Sequence, residues 1–387
     1  MAKLDPYDHR GQYLRWKERT AKSGISGLSK ANSSVLLQYL LDMEQGINIA
    51  MGSKKGARSY IRLNILRQRL IHLFSMFEKR FSVEDVTKIE ERQLCSFFSD
   101  MRNGVIIKLN GGHYKSVRDY AKNFKSFWHW HQRVLRKEGK EIRDITYDVD
   151  TSCEKPDWVY LTEEQIKELA NDAVYKYKVL IWFLFDTGIR APTELVNIKI
   201  SDLYNDCKEL NIREEISKTF GRRIKLMLCS ELLKEYIKKN KLSSQDYLFK
   251  IDPGSSNRYI KRLAGRLFGD NASQAGAKYS ELTMYDFRHC SCCYWLPRYK
   301  SESALKYRFG WKKSDKIHYY SEMLGMKDTI SQDDLLLDTT KTEIEQELHK
   351  SKNENSILKD QLSMMQSQLN RITELTSKFF PDSKEEL

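Results

Sequence analysis

The chain has 387 residues, 40% of them apolar, which suits two or three domains that each bury a core. No run of about 18 apolar residues occurs, and the N-terminus MAKLDPYDHRGQYLRWKERTAKSG has no apolar signal core, so the sequence predicts a cytoplasmic protein with no membrane span. The net charge is +13; residues 341–387 carry 7 basic and 9 acidic side chains, so residues 1–340 carry +15, and the default partner of such a body is a polyanion.

Residues 1–32 are polar and basic with no sustained period, the pattern of an arm that stays disordered until bound. Residues 33–138 read as helical throughout. SSVLLQYLLDMEQG starts at a serine cap and stops at Gly46. RSYIRLNILRQRLIHLFSMFEKRF repeats apolar residues at helical spacing (Ile61, Ile65, Leu66, Leu70, Leu73, Phe77) with arginines on its other faces. A further helix is expected near Glu91, and SVRDYAKNFKSFWHWHQRVLRKEG forms a long one with Tyr120, Phe124, Phe127 and His131 on one stripe. Trp128 and Trp130 could stack on bases, but an aromatic stripe at this spacing belongs first to a core.

Residues 139–157 lose the helical period, turn acidic and contain Pro156, which marks an interdomain linker. LTEEQIKELA then opens a domain over 158–326 with a capping box from Thr162 to Gln165. YKYKVLIWFLFDTG is a buried helix ending at Gly188, and RAPTELVNI is expected to start another, with Pro192 in its first turn. KELNIREEIS, KTFGR and RIKLMLC read as a tight β-hairpin with Gly221 at or beside the turn. Helices follow at SELLKEYIKKN, SSNRYIKRLAGRLFG, YDFRHCSCCYWL, SESALKYRFG and SDKIHYYSEM.

The tail 327–387 has a different rhythm over 341–379. Ile344, Leu348, Leu358, Leu362, Met365, Leu369, Ile372 and Phe379 fall on three- and four-residue steps, with Ser351, Asn355 and Thr376 at the remaining seam positions. That is a coiled coil, and Asn355 at an a position favours two strands. The fold class is therefore mainly α with a small antiparallel β element (α+β), followed by a coiled-coil helix.

The seven cysteines (95, 153, 207, 229, 290, 292 and 293) are odd in number and scattered, so they form no disulfide framework. HCSCC at 289–293 lacks a second Cys/His pair at zinc spacing and reads as a buried helix lined with thiols; no metal or cofactor is expected.

Five polar points sit on strongly apolar segments. They are Arg190 with Glu194 in DTGIRAPTEL, Lys218 in ISKTFGRRIKL, Tyr285, Arg288 and His289 in MYDFRH, Trp311 in FGWKK, and the pair Tyr319/Tyr320. In this order they resemble the catalytic domain of the tyrosine recombinase (phage integrase) family over about 158–325. TGIRAPTELVNIKISDL is similar to the first arginine box, SKTFGRRIKL to the hairpin lysine, YDFRH to the second box, and GW to the last; residues 33–138 resemble the family's core-binding domain more loosely.

The resemblance implies breakage and rejoining of double-stranded DNA through a 3′-phosphotyrosine, without metal or ATP, by a tetramer on two DNA sites. The nucleophile lies nine residues after the His/Trp of the last box, which is Tyr320; Tyr319, about 100° around the helix, packs. Arg190 and Arg288 would grip the phosphate, Lys218 would be general acid from a mobile hairpin tip, and Trp311 would donate its indole N–H to a phosphate oxygen. Glu194 would hold an active-site basic group. Tyr285 stands where the family usually has histidine, which leaves the general base open; His289 is expected to point elsewhere and to be structural. Two other readings are a type IB topoisomerase and a decayed integrase that regulates by binding DNA.

Overall fold

The computed structural model describes residues 4–50, 53, 55–152, 156–299 and 301–324, and in the tail 351, 355, 358, 359 and 361–370. By its contacts the chain divides into Met1–Tyr320 and Ser321–Leu387.

The first part of the larger unit is all helix: α1 (His9–Ser23), α2 (Lys30–Gln45), α3 (Tyr60–Phe81), α4 (Glu91–Arg102) and α5 (Val117–Lys137). The starts of α2, α3 and α4 follow from local chemistry. Ser29 and Ser59 accept from the backbone N–H groups three residues on, and Glu90 forms a capping box with Gln93 ahead of α4. α3 is packed on several sides by α1, α2 and α5, so its buried face is wider than one stripe. Leu63 and Phe74 are fully buried, whereas Ile61, expected on that stripe, is exposed.

Phe77, Phe97, Phe124 and Phe127 meet edge-on or tilted at the centre. Trp128 and Trp130 are buried with them. Trp130 donates its indole N–H to Asp42 Oδ2 at 2.7 Å, and Asn48 Nδ2 donates to the same oxygen. Leaving that indole unpaired would cost about 1–3 kcal/mol, so these tryptophans hold the core rather than present themselves to bases.

Residues 9–23, expected inside a disordered arm, form helix α1. Its apolar face is only Tyr13, Trp16 and Leu14 among many charges, too sparse for a period to stand out, yet Tyr13 is buried against Tyr60 and Arg67 lies over the Trp16 ring. The segment before α1 reaches the other half of the unit: Leu4 exchanges two hydrogen bonds with the Asn197 side chain.

The second half holds α6 (Glu163–Asp172), α7 (Tyr175–Thr187), β1 (Leu203–Tyr204), β2 (Glu209–Ile212), β3 (Arg222–Lys225), α8 (Ser230–Lys239), α9 (Pro253–Phe268), α10 (Asp286–Trp295), α11 (Glu302–Phe309) and α12 (Asp315–Met323). The Thr162–Gln165 capping box forms as expected. The three strands are antiparallel in the order β1-β2-β3, with Glu209 opposite Lys225 and Ile212 opposite Arg222. β1, two residues long, carries no alternation that a sequence could reveal.

Two expectations change here. The β2–β3 connection is not a tight turn but spans 213–221. RAPTELVNI makes a helical turn and a 3-10 segment, Leu195–Asn197, rather than a helix. Ile198 and Lys199 take extended backbone directly after it, ahead of a second 3-10 segment, Ile200–Asp202, and the Ile198 carbonyl accepts from the Leu248 amide.

α7 is the buried axis of this half, and α6, α8 and α10 pack on it. Asp186, fully buried near its end, accepts from the amides of Met227, Leu228 and Cys229 at 2.7–3.2 Å and pairs with Arg308 of α11 at 2.9 Å. Arg308 also donates to the Lys225 carbonyl of β3. This network fixes α11, β3 and the start of α8 to the end of α7, where the chain turns into the site.

In the tail the expected coiled coil over 341–379 lies largely outside the described residues. Residues 361–370 are helical. Leu358, Leu362, Met365 and Leu369, all on the expected seam, are exposed.

Candidate active site

Gly188 ends α7 in the left-handed region (φ 55°), where a side chain would collide with the Phe309 ring. The turn sends Arg190 back toward α11. Its Nη1 pairs with Glu194 Oε1 at 2.7 Å and its Nη2 donates to the Gly310 carbonyl at 2.7 Å. Glu194, 1% exposed, also takes the Arg190 amide and pairs with Arg222 at 2.8 Å. Burial alone would raise the Glu194 carboxyl, but the Arg222 hydrogen bond and charge, together with Arg190, outweigh it and hold the group at about 2. Glu194 thus holds basic groups, as expected.

Arg288, on α10 and 4% exposed, donates from Nη1 to the Gly188 carbonyl and from Nη2 to the Phe309 carbonyl, each at 2.5 Å. Among the described residues it forms no ion pair. Burial, with Arg190 beside it, draws its guanidinium down to about 10. Arg190 and Arg288 therefore meet at the C-terminus of α11. Trp311, just past that end, stacks on Phe309 and lies under the Arg288 guanidinium.

Tyr320 is 3% exposed. Its ring stacks on Trp311 at 5.9 Å and 12°, and its hydroxyl shares a 2.5 Å hydrogen bond with His289 Nδ1. Burial pushes its phenol well above the ordinary range, Cys292 adds to this, and Arg288 opposes it. Tyr319 faces the other way: Trp158 donates to its hydroxyl at 2.8 Å, and it donates to the Pro156 carbonyl at 3.4 Å. The two tyrosines divide as the helix period requires.

Lys218 is exposed on the β2–β3 connection. Its neighbours pin the loop to the site. Ser217 Oγ donates to Glu194 Oε1 at 3.3 Å, and Thr219 Oγ1 donates to the Gly310 carbonyl at 2.9 Å, the carbonyl that also takes Arg190. The expected mobile tip is thus a loop held by two side-chain hydrogen bonds, and among the described residues the Lys218 amine makes no hydrogen bond or ion pair. Tyr285, 46% exposed, lies at the rim, its ring edge-on to His289 at 5.3 Å.

The structure brings Arg190, Arg288, Trp311, Tyr285 and Tyr320 to one place and seats Lys218 beside them. It corrects His289, which points at Tyr320 and not away from the site. Three contributors escaped the sequence reading. Arg222 is 1% exposed; its signal was a charge at the inward position of a strand, alternating with buried Ile224. Trp158, which stacks on His289 at 4.7 Å, follows the linker directly and gave no periodic sign. The loop carbonyls of Phe309 and Gly310 carry no sequence signal at all. Among the described residues no group of three or more His, Cys, Asp or Glu is placed to hold a metal ion, and Cys290, Cys292 and Cys293 are buried in α10.

A helical bundle followed by this mixed helical domain is the fold of the tyrosine recombinases and integrases. The chain is similar to the Tn1549 transposon integrase (residues 82-397) in complex with circular intermediate DNA: 14% identity, 78% of this chain, 100% of that one, TM-score 0.53. It is similar to a lambda integrase dimer bound to a core site, at 14% identity, 79% of this chain, 81% of that one and TM-score 0.54. It is similar to the XerH site-specific recombinase in a post-cleavage complex, at 15% identity, 80% of this chain, 90% of that one and TM-score 0.52. No protein-family model and no curated protein sequence matches the chain.

Proposed function

We propose that this protein is a site-specific DNA recombinase, an integrase that breaks and rejoins DNA strands through a 3′-phosphotyrosine at Tyr320. The observation that carries the reading is Arg288: a buried guanidinium with no carboxylate partner among the described residues, held beside Arg190 and next to a buried phenol. A buried charge without a counter-ion is costly unless an anion arrives to meet it, and a DNA phosphate is such an anion.

In the proposed reaction Arg190 and Arg288 each grip phosphate oxygens and stabilise the charge that grows as phosphorus becomes pentavalent. Tyr320 attacks, the 5′-oxygen leaves, and Lys218 supplies its proton. Trp311 holds the Tyr320 ring and offers its indole N–H to a phosphate oxygen; Tyr285 hydrogen-bonds the phosphate from the rim. A second 5′-hydroxyl then attacks the phosphotyrosine and reseals the strand, conserving the bond energy. Because Tyr320 is 3% exposed, its hydroxyl meets DNA only when α12 shifts or the rim at Tyr285 opens.

We assign residues 33–138 as the DNA-gripping domain, 139–157 as the joint and 158–326 as the catalytic domain. Arg58, Lys122, Lys125 and Arg133 line one shallow cavity along α5, a cationic track for a phosphate backbone. The tail is assigned to pairing protomers, within a tetramer on two DNA sites. No helix among the described residues is long and apolar enough to cross a membrane; a DNA-associated cytoplasmic location follows from the proposed activity.

The test is a nicked DNA suicide substrate. An SDS-resistant adduct lost in Tyr320→Phe and kept in Tyr319→Phe supports the assignment. No adduct from the intact protein supports a DNA-binding regulator, the reading that the sealed hydroxyl and Tyr285 favour.

A further inference from the structure

Tyr285 occupies the position where the resemblance expects a histidine, and a phenol is a poor proton acceptor at neutral pH. The structure brings an imidazole from another direction. Successive α10 residues project about 100° apart. While Arg288 reaches back to the Gly188 and Phe309 carbonyls, His289 leaves the helix toward Tyr320, its Nδ1 2.5 Å from the hydroxyl. The imidazole is clamped, with the Trp158 ring stacked on it at 4.7 Å and 30° and Tyr285 edge-on at 5.3 Å and 73°. Tyr320 is clamped in turn by Trp311 at 5.9 Å and 12°.

We propose that His289 is the proton acceptor for Tyr320, taking the phenolic proton on Nδ1 as the hydroxyl oxygen attacks phosphorus. The proposal rests on the strand-exchange reading above and requires Tyr320 to attack from its seat beside His289 of its own chain. The Tyr320 Oη–P bond forms and the P–O5′ bond breaks. The phenol proton passes to Nδ1, giving imidazolium, and Lys218 protonates O5′. On resealing, the incoming 5′-hydroxyl passes its proton to the now neutral Lys218 as it attacks phosphorus, the P–Oη bond breaks, and the imidazolium returns its proton to the phenolate.

The surroundings explain why an acceptor is needed. Facing the pair are Arg288, Cys292 and Cys293 from α10, Tyr285 just before that helix, and Tyr319 from α12; of these only Arg288 favours phenolate. A buried phenol does not ionise unaided at neutral pH, whereas an imidazole, with an ordinary pKa of about 6.5, is matched to take its proton there. Because the pair is intramolecular, mixing Tyr320→Phe chains with His289→Asn chains should not restore activity.

A pool of nicked duplexes of randomised sequence, selected for SDS-resistant attachment to the intact protein, supplies the substrate. On a selected duplex, His289→Ala and His289→Asn should bind DNA as the parent does but form adduct about 10²–10⁴-fold more slowly at pH 7. The parent rate should level off with rising pH once the acceptor is neutral, while both variants keep rising with pH as solvent base takes over. Asn carries an oxygen acceptor near the place of Nδ1 but is no base; parent-like rate and pH profile in His289→Asn would show that His289 only positions Tyr320 and would overturn the role, as would restored activity in the mixed chains. No adduct from the parent protein would sink the strand-exchange reading and this role with it; adduct from the parent with unaltered variants would sink this role alone. Nitrogen NMR of the unsubstituted protein tests the same point without DNA: Nδ1 should be bare with the proton on Nε2, and a protonated Nδ1 at neutral pH would overturn it.

Discussion

Arg190 and Arg288 donate to adjacent carbonyls, Arg190 Nη2 to Gly310 at 2.7 Å and Arg288 Nη2 to Phe309 at 2.5 Å. One comes from the end of α7 and the other from α10, so the C-terminus of α11 is the template that aligns them. Among the described residues only Arg190 of the two has a carboxylate partner, Glu194. The site therefore retains positive charge directed at whatever enters.

Replacing Arg288 by Lys should lower strand cleavage by at least about 10²-fold, since a single ammonium cannot hold both carbonyls and a phosphate in one plane. Arg288→Ala should do the same and also lower thermal stability, because the Gly188 and Phe309 carbonyls lose their donor, at about 1–3 kcal/mol for each buried group. Adduct formation on nicked DNA and a melting curve check the two parts. Unchanged cleavage in Arg288→Lys would refute the phosphate-gripping role.

Glu194 makes stability depend on pH. Its folded-state group is held at about 2, against 4.5 for an unperturbed glutamate, so its contribution is present above about pH 4.5 and is lost as pH falls toward 2. The shift corresponds to on the order of 3 kcal/mol for this buried group. Glu194→Gln should therefore destabilise the protein at pH 7 and flatten the decline between about pH 5 and pH 2. Denaturant unfolding across that range measures it; equal slopes in both proteins would refute the assignment.

How much of this was legible beforehand follows from what each residue depends on. Helices α2 to α12 announced themselves mainly through period, which is local; the Thr162 cap was legible, whereas α2 starts from Ser29 rather than from the serines of SSVLL, and α5, α7, α8 and α10 have no side-chain cap. Tyr320, Arg190 and Arg288 were found by order and spacing along a resemblance, not by any local property. The direction of His289 was not legible, and the alternation of β3 could place Arg222 inward but not name its partners, since both depend on how α10 and β3 lie against α11 and α12, which are distant in sequence. α1 was missed for the opposite reason: its apolar face is local but only a few residues wide.

Lys218 stands between two anchored residues, Ser217 on Glu194 and Thr219 on the Gly310 carbonyl, so the loop that carries it is held against the site. In the proposed reaction it would act as general acid and protonate the leaving 5′-oxygen. Lys218→Ala should slow cleavage of ordinary nicked DNA about 10²–10⁴-fold. On DNA whose bridging 5′-oxygen is replaced by sulfur, a leaving group that departs without a proton, the same variant should cleave nearly as fast as the parent. A defect of equal size on both substrates would show that Lys218 acts by binding or position rather than by proton transfer.

In the tail, Leu358, Leu362, Met365 and Leu369 follow one another at steps of four, three and four residues and are each 57–65% exposed. A helix that leaves such a seam in water gains about 1.5–3 kcal/mol for each large apolar side chain it later buries. In the proposed pairing a second copy of the same helix would offer a complementary seam, and Asn355 at an a position would set two strands in register. Leu362→Glu with Leu369→Glu places four carboxylates in the core of such a pair and should weaken self-association by at least about 10²-fold, as about 1.4 kcal/mol is a factor of ten. Asn355→Leu should raise the mass above that of a two-stranded pair, since it removes the residue that selects two strands. Sedimentation equilibrium reads both, and a mass that neither substitution changes would remove the tail from the assembly of this protein.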